Sequence, residues 1–121
     1  GLIIKRPLAN GIWARGLYEL ENIPEDYPQA WISKRRQYNE RVEAMKRGGP
    51  LPGEPEDATD LALGFVYAHD EVDTAIVGTH NLSHLKANIA LVESGGPDIA
   101  AAVAELHRRF DALGGDWDQV G

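Results

Sequence analysis

Residues 73–93, DTAIVGTHNLSHLKANIALVE, constrain the fold of this chain more than any other stretch. The run 74–77, TAIV, lacks polar alternation, which suits a strand buried on both faces, as in a parallel sheet. It stops at Gly78, passes through the polar turn Thr79-His80-Asn81 and opens a helix over Leu82–Glu93. In that helix Leu82, Leu85, Ile89 and Val92 recur at i, i+3, i+7 and i+10, an apolar stripe for a buried side. A strand that passes through a short polar turn into an amphipathic helix is the unit of α/β folds. Ligands of such folds sit outside the carboxyl ends of the strands.

The rest of the chain divides around its prolines and glycines. Residues 2–5, LIIK, form a short β-type run stopped by Pro7, and PLANG then has turn chemistry. Residues 12–28 read as irregular, anchored by Trp13, Leu17, Tyr18 and Ile23 and broken by Pro24 and Pro28. A helix is expected over 29–47, ended by Gly48-Gly49, with Trp31, Arg35, Tyr38, Val42 and Met45 on its apolar face and Ala30, Ser33, Gln37 and Glu40 opposite. The segment 48–57, GGPLPGEPED, reads as a loop. A helix over 58–69 is apolar on most sides through Leu61, Leu63, Phe65, Val66 and Ala68, so it should be well covered. HDEVD (69–73) is an acidic connection to the second strand. A last helix over 98–113 buries Ala100, Val103, Leu106, Phe110 and Leu113, and the tail 114–121 offers Trp117 as an anchor. Two strands with intervening helices make at most one βαβ unit with a helical end, a single partial domain over 1–121.

The 121 residues carry no cysteine, so there is no disulfide framework and no thiolate metal site. No apolar run approaches the length of a bilayer span. The start, GLIIKRPLANG, has its apolar stretch before its basic pair, the reverse of a secretory leader, so a cytoplasmic location is the expectation. The net charge of −7 is uneven: residues 1–50 balance at +3 and residues 51–121 at −10. The acidic half disfavours extended nucleic-acid binding. The basic cluster Lys34-Arg35-Arg36 reads as a solvated helix face paired with Glu40 and Glu43 in preference to an anion patch.

The chemistry concentrates at the two strand ends. Lys5 and Arg6 follow the first strand, and Gly78, Thr79, His80 and Asn81 follow the second, just before a helix whose free N–H groups favour anions. Gly78 and Thr79 read equally as an ordinary turn and cap. Asn81, His84 and Asn88 form a polar stripe at i, i+3 and i+7. An asparagine amide offers a donor and an acceptor to an adenine edge, and Asn88 reads equally as a surface amide. His80 and His84 have no third ligand nearby in sequence, so no metal is expected there.

Taken together, IIKRPLANG and DTAIVGTHNLSHLKANIALVE resemble the carboxyl-terminal part of the aldo-keto reductase family, as its seventh and eighth barrel strands. DATDLALGFVYAHDEVDTAIVGT resembles the approach to that last strand, and ELHRRFDALGGDWDQVG the carboxyl-terminal helix and tail. The resemblance implies an α/β fold: a carboxyl-terminal fragment of a (β/α)8 TIM barrel, mostly helical with two short parallel strands. It implies NADP(H) or NAD(H) as cofactor and reduction of aldehydes or ketones by hydride transfer. By position, Lys5, Arg6, Pro7 and Leu8 would lie along the nicotinamide or pyrophosphate side. Gly78, Thr79, His80 and Asn81 would cradle the adenosine phosphate. His84 stands where many members have an arginine, and Asn88 where they have an asparagine facing adenine. Many members have a lysine in place of Gly78 and an acidic residue in place of Ala87, which leaves NADP(H) and NAD(H) both open. The family's catalytic residues come from earlier strands, so no catalytic residue is assigned here. The chain alone is expected to bind cofactor weakly or not at all, and to be inactive. Its partner would be the amino-terminal part of the barrel, and without it the chain would self-associate through open strand edges and an apolar patch around Leu61, Phe65 and Ile89. A helical interaction module without enzymatic activity is the alternative.

Overall fold

The computed structural model describes residues 1–118; the last three residues of the tail, 119–121, lie outside them. The elements run β1 (Leu2–Lys5), a 3-10 turn (Ala9–Gly11), α1 (Ile12–Arg15), α2 (Gln29–Lys46), α3 (Ala58–Tyr67), β2 (Val72–Ile76), α4 (Leu82–Glu93) and α5 (Ala100–Ala112). The architecture is α/β, largely helical, with two short parallel strands. β1 pairs with β2 alone, Ile3 opposite Thr74, Ile4 opposite Ala75 and Lys5 opposite Ile76, with an irregularity between Leu2 and Ile3. No helix among the described residues is long and apolar enough to cross a membrane.

The core is built by helices. Leu51, Leu61, Ile99, Ala102 and Leu106 form its buried centre, flanked by Trp13, Met45, Phe65 and Val103. α3 enters it as its composition requires: Asp57 caps the helix by accepting from the Thr59 N–H at 2.7 Å, and Leu61, Leu63, Gly64 and Val66 are buried. Gly64 is needed for close approach, because a Cβ there would stand 2.8 Å from the Ile99 side chain. The 48–57 segment is a loop, but it also supplies Leu51 to the core.

Several expectations are corrected. Residues 12–28 are not wholly irregular: Ile12 opens the single turn α1 and is 2% exposed, whereas Leu17 lies exposed. Loop 17–28 is tied to α2 by Asn39, whose Oδ1 accepts from the Tyr18 N–H and whose Nδ2 donates to the Tyr18 carbonyl, both at 2.8 Å. On α2 the opposite face is exposed as expected and Val42 is buried, but Trp31 is exposed. Three cations of this region lie over rings: Arg35 near Tyr18, Tyr27 and Trp31, Arg41 on Trp117, and Lys46 on Trp13. α3 ends at Tyr67, not residue 69. β2 begins at Val72 and ends at Ile76, because its length follows its pairing with β1. It is not buried on both faces: Asp73, Thr74 and Ile76 are exposed, since the sheet has only two strands.

The two later helices differ in orientation from the periodicity reading. The stripe Leu82, Leu85, Ile89 and Val92 of α4 is exposed, at 44–65%. The patch expected around Leu61, Phe65 and Ile89 does not form as such, because Leu61 is buried in the helical core and only Ile89 is exposed. α5 buries Ala102, Leu106 and Arg109, while Ala100 and Leu113 are exposed. The burial of Arg109 follows from no hydrophobic pattern. Its Nη1 donates to the carbonyls of Met45 (2.8 Å) and Gly49 (2.9 Å), and its Nη2 to Pro50 (3.4 Å). A guanidinium thus satisfies carbonyls at the carboxyl end of α2, where helices leave acceptors unpaired and favour positive charge. Trp117 anchors the tail edge-on against Phe110, ring centroids 5.1 Å apart.

Candidate functional site

Parallel pairing decides the geometry of the site. With Lys5 opposite Ile76, both strands end at the same side of the sheet, and both following segments leave from there. Two segments distant in sequence therefore start from the same end of the sheet: Lys5, Arg6, Pro7 and Leu8, and Gly78, Thr79, His80 and Asn81. Lys5, Arg6, Gly78, Thr79, His80, Asn81 and His84 are exposed; Pro7, Leu8 and Asn88 are half-buried.

The first segment is held by backbone turns. The Ala9 N–H donates to the Arg6 carbonyl at 2.9 Å and the Gly11 N–H to the Leu8 carbonyl at 2.7 Å. Arg6 and Ala9 carry left-handed φ values of 56° and 46°. That region costs a residue with a side chain of order 1–2 kcal/mol, and such outliers concentrate at ligand clamps and switches. The strand thus ends in a strained basic residue, a feature with no signature in the sequence.

The second segment is organised by its own side chains. Asn81 caps α4: its Oδ1 accepts from the Ser83 N–H (2.9 Å) and Oγ (2.7 Å). Thr79 Oγ1 accepts from the Asn81 N–H at 3.1 Å. The capping role expected of Thr79 or Asn81 falls to Asn81, with Thr79 fixing the turn before it. This cap holds one first-turn donor of α4. No neighbouring atom lies within 4 Å of a Cβ placed on Gly78, so the space beside it is open. Asn81, His84 and Asn88 follow one another along one side of α4, and Asn88 is the one that is half-buried.

Charge is graded along the sheet. Residues 1–18 contain Lys5, Arg6 and Arg15 and no acidic residue, and residues 74–92 contain Lys86 and no acidic residue. Asp70, Glu71 and Asp73 gather at the amino end of β2, where the Asp73 carboxylate accepts from the Leu2 N–H. Lys5 and Arg6 thus stand at the carboxyl end of β1, and the acidic residues of the 70–73 connection at the amino end of β2. Two open grooves, of about 390 and 460 Å³, lie elsewhere: one between α3 and the α4–α5 connection, the other beside α2. Neither contains a residue of the two loops.

Comparison with family models, curated proteins and solved structures gives no match for this chain. The reading of its chemistry rests on the residues themselves. The fold also joins two histidines that have no local sequence signal. His69 and His107 are 38 positions apart, and their Nε2 atoms are 3.0 Å apart.

Proposed function

We propose that this chain supplies the nucleotide-binding loops of an NAD(P)H-dependent oxidoreductase of the aldo-keto reductase type, as the last two strands and following helices of a (β/α)8 barrel. One observation supports the reading: the parallel register of β1 and β2, with Lys5 opposite Ile76, from which both following loops leave the same end of the sheet. Lysine and arginine meet a pyrophosphate through charge-assisted bonds. The capped start of α4 suits a further phosphate oxygen, and the bare backbone at Gly78 lets it approach. Half-burial of Asn88 favours its use as a two-point partner for adenine over that of a fully solvated amide.

Hydride transfer to a carbonyl also needs a proton donor placed beside it, and that donor belongs to the amino-terminal part of the barrel. The chain alone is expected to bind NADPH weakly or not at all and to catalyse no aldehyde reduction. The gene upstream of Gly1 tests the reading directly: roughly 200 barrel residues are expected there. An unrelated domain, or NADPH-dependent turnover that stays with the purified chain, would overturn it. The exposed stripe of α4 favours a second reading, a helical interaction module without chemistry. Under that reading Leu85→Lys in the intact protein abolishes partner binding and leaves nucleotide affinity untouched.

A further inference from the structure

We propose that His69 and His107 form a two-histidine site for a borderline divalent metal ion such as Zn²⁺, clamping the end of α3 to the middle of α5. The proposal stands independently of the nucleotide reading. Four observations converge on it. The His69 Nδ1 lies 2.7 Å from the Phe65 carbonyl, which can only accept, so Nδ1 carries the proton and Nε2 presents a lone pair. That Nε2 is aimed at the Nε2 of His107, 3.0 Å away. Phe65 packs against both imidazoles, with ring centroids 4.9 Å from His69 and 5.6 Å from His107. Lastly, the pair is open to solvent on the His107 side, so an ion has an approach.

The geometry is close to that of a chelate. With Zn–N bonds of about 2.0–2.1 Å, two ligands at a tetrahedral angle place their nitrogens about 3.3 Å apart. The observed separation of 3.0 Å corresponds, with the same bonds, to an angle of about 94°. A small rotation of the exposed His107 ring makes up the difference. Without metal, the His107 Nε2–H donates to the His69 Nε2. To bind an ion, His107 must present a lone pair at Nε2, with its ring proton on Nδ1. The bond from His69 Nδ1 to a backbone carbonyl is the outer-shell support that metal-bound histidines have as a rule. Among the described residues no group of three or more metal-binding side chains assembles, so water completes the coordination.

The test is calorimetric titration of the 121-residue chain with Zn²⁺ at neutral pH, with thermal melts in parallel. One saturable Zn²⁺ per chain and a raised Tm are expected, since an ion bound only by the native state stabilises it. Loss of even an outer-shell partner costs about 10–100-fold in metal affinity, so His69→Gln and His107→Gln should each weaken binding by at least that much and remove the Tm shift. The double variant His80→Gln/His84→Gln should leave both readouts unchanged. His107 is exposed, so its variant decides the matter if His69→Gln does not fold. Absence of saturable binding, binding retained in His107→Gln, or binding lost with His80 and His84 would overturn the site.

Discussion

Replacing Arg109 by alanine tests how the helical core is held. The residue is 7% exposed. It donates to the Met45 and Gly49 carbonyls at 2.8 and 2.9 Å, while its Nε meets Glu105 Oε1 at 2.7 Å. Hydrogen bonds involving a charged group contribute about 1.5–3 kcal/mol each, and their effects do not simply add. The contact with Glu105 counts for less, because that carboxylate is partly solvated and keeps Arg108 as partner. Water replaces the guanidinium only in part, so the expected loss is about 3 kcal/mol. With an unfolding entropy of about 2.1 cal/mol/K per residue, a chain of 121 residues has about 0.25 kcal/mol/K, and the loss becomes a fall in Tm of about 12 °C. Arg108→Ala is the control. Its side chain is 66% exposed, and an exposed ion pair contributes little, so Tm should fall far less than for Arg109→Ala. Arg109→Lys keeps the charge without the planar fork and should fall between the two. Thermal melts followed by far-UV circular dichroism, at one protein concentration, measure all three. Equal Tm values for Arg109→Ala and Arg108→Ala would refute the capping argument.

Three further outcomes are expected. Hydrogen bonds from Arg108 and then Arg109 hold the Glu105 carboxyl at about 2, below its ordinary 4.5. The stability this gives is present above pH 4.5 and is lost as pH falls toward 2. Urea unfolding should therefore show wild type and Glu105→Gln furthest apart near neutrality and converging in that acid range; a constant gap would count against it. Under the nucleotide reading, Asn88→Ala in the full-length protein should raise the NAD(P)H dissociation constant several-fold, about one neutral hydrogen bond, and Gly78→Lys should shift preference toward NADP(H). Fluorescence titration with both cofactors checks this, and unchanged constants would remove these residues from the site. The chain alone should self-associate through the open edges of β1 and β2, seen as a concentration-dependent sedimentation coefficient; a strict monomer with both strands protected from hydrogen exchange would contradict it.

The sequence was most legible where local chemistry decides the structure. Leu82–Glu93 is a helix with the expected bounds, because the cap at Asn81 and the break after Glu93 are both local. Asp57 and the apolar run behind it likewise place α3 and its burial. What was not legible depended on contacts distant in sequence. Periodicity gives α5 its apolar face, with Leu106 buried and Val103 packed on the core as read, but cannot know that Arg109 finds the end of α2 some 60 residues earlier. Leu51 sits in a Gly/Pro-rich segment, where composition argues only for a loop. At the candidate site, the residue types at both strand ends could be read, and the parallel register then joined them. The left-handed backbone of Arg6 and the meeting of His69 with His107 had no local signal to read.

The placement of unburied apolar residues bears on the choice between a barrel piece and an interaction module. The closed core draws on α1, α2, α3, α5 and the turns beside them. Leu2, Ile3, Ile76 and the α4 stripe, by contrast, are exposed, and all belong to β1, β2 and α4. Leu2 lies at the irregular end of the pairing and Ile3 within its regular part. At 46% and 59% exposure, neither is covered. A module that docks a partner on α4 needs one uncovered helix face and gains nothing from leaving apolar side chains of the strands exposed as well. In a (β/α)8 barrel every strand has a neighbour on each edge, packed side chains on its inner face and helices on its outer face. The same arrangement accounts for the α4 stripe, whose period suits a helix laid against a sheet. Exposed apolar side chains on β1, β2 and α4 together therefore favour a covering that spans the sheet and the helix, and the barrel reading supplies one.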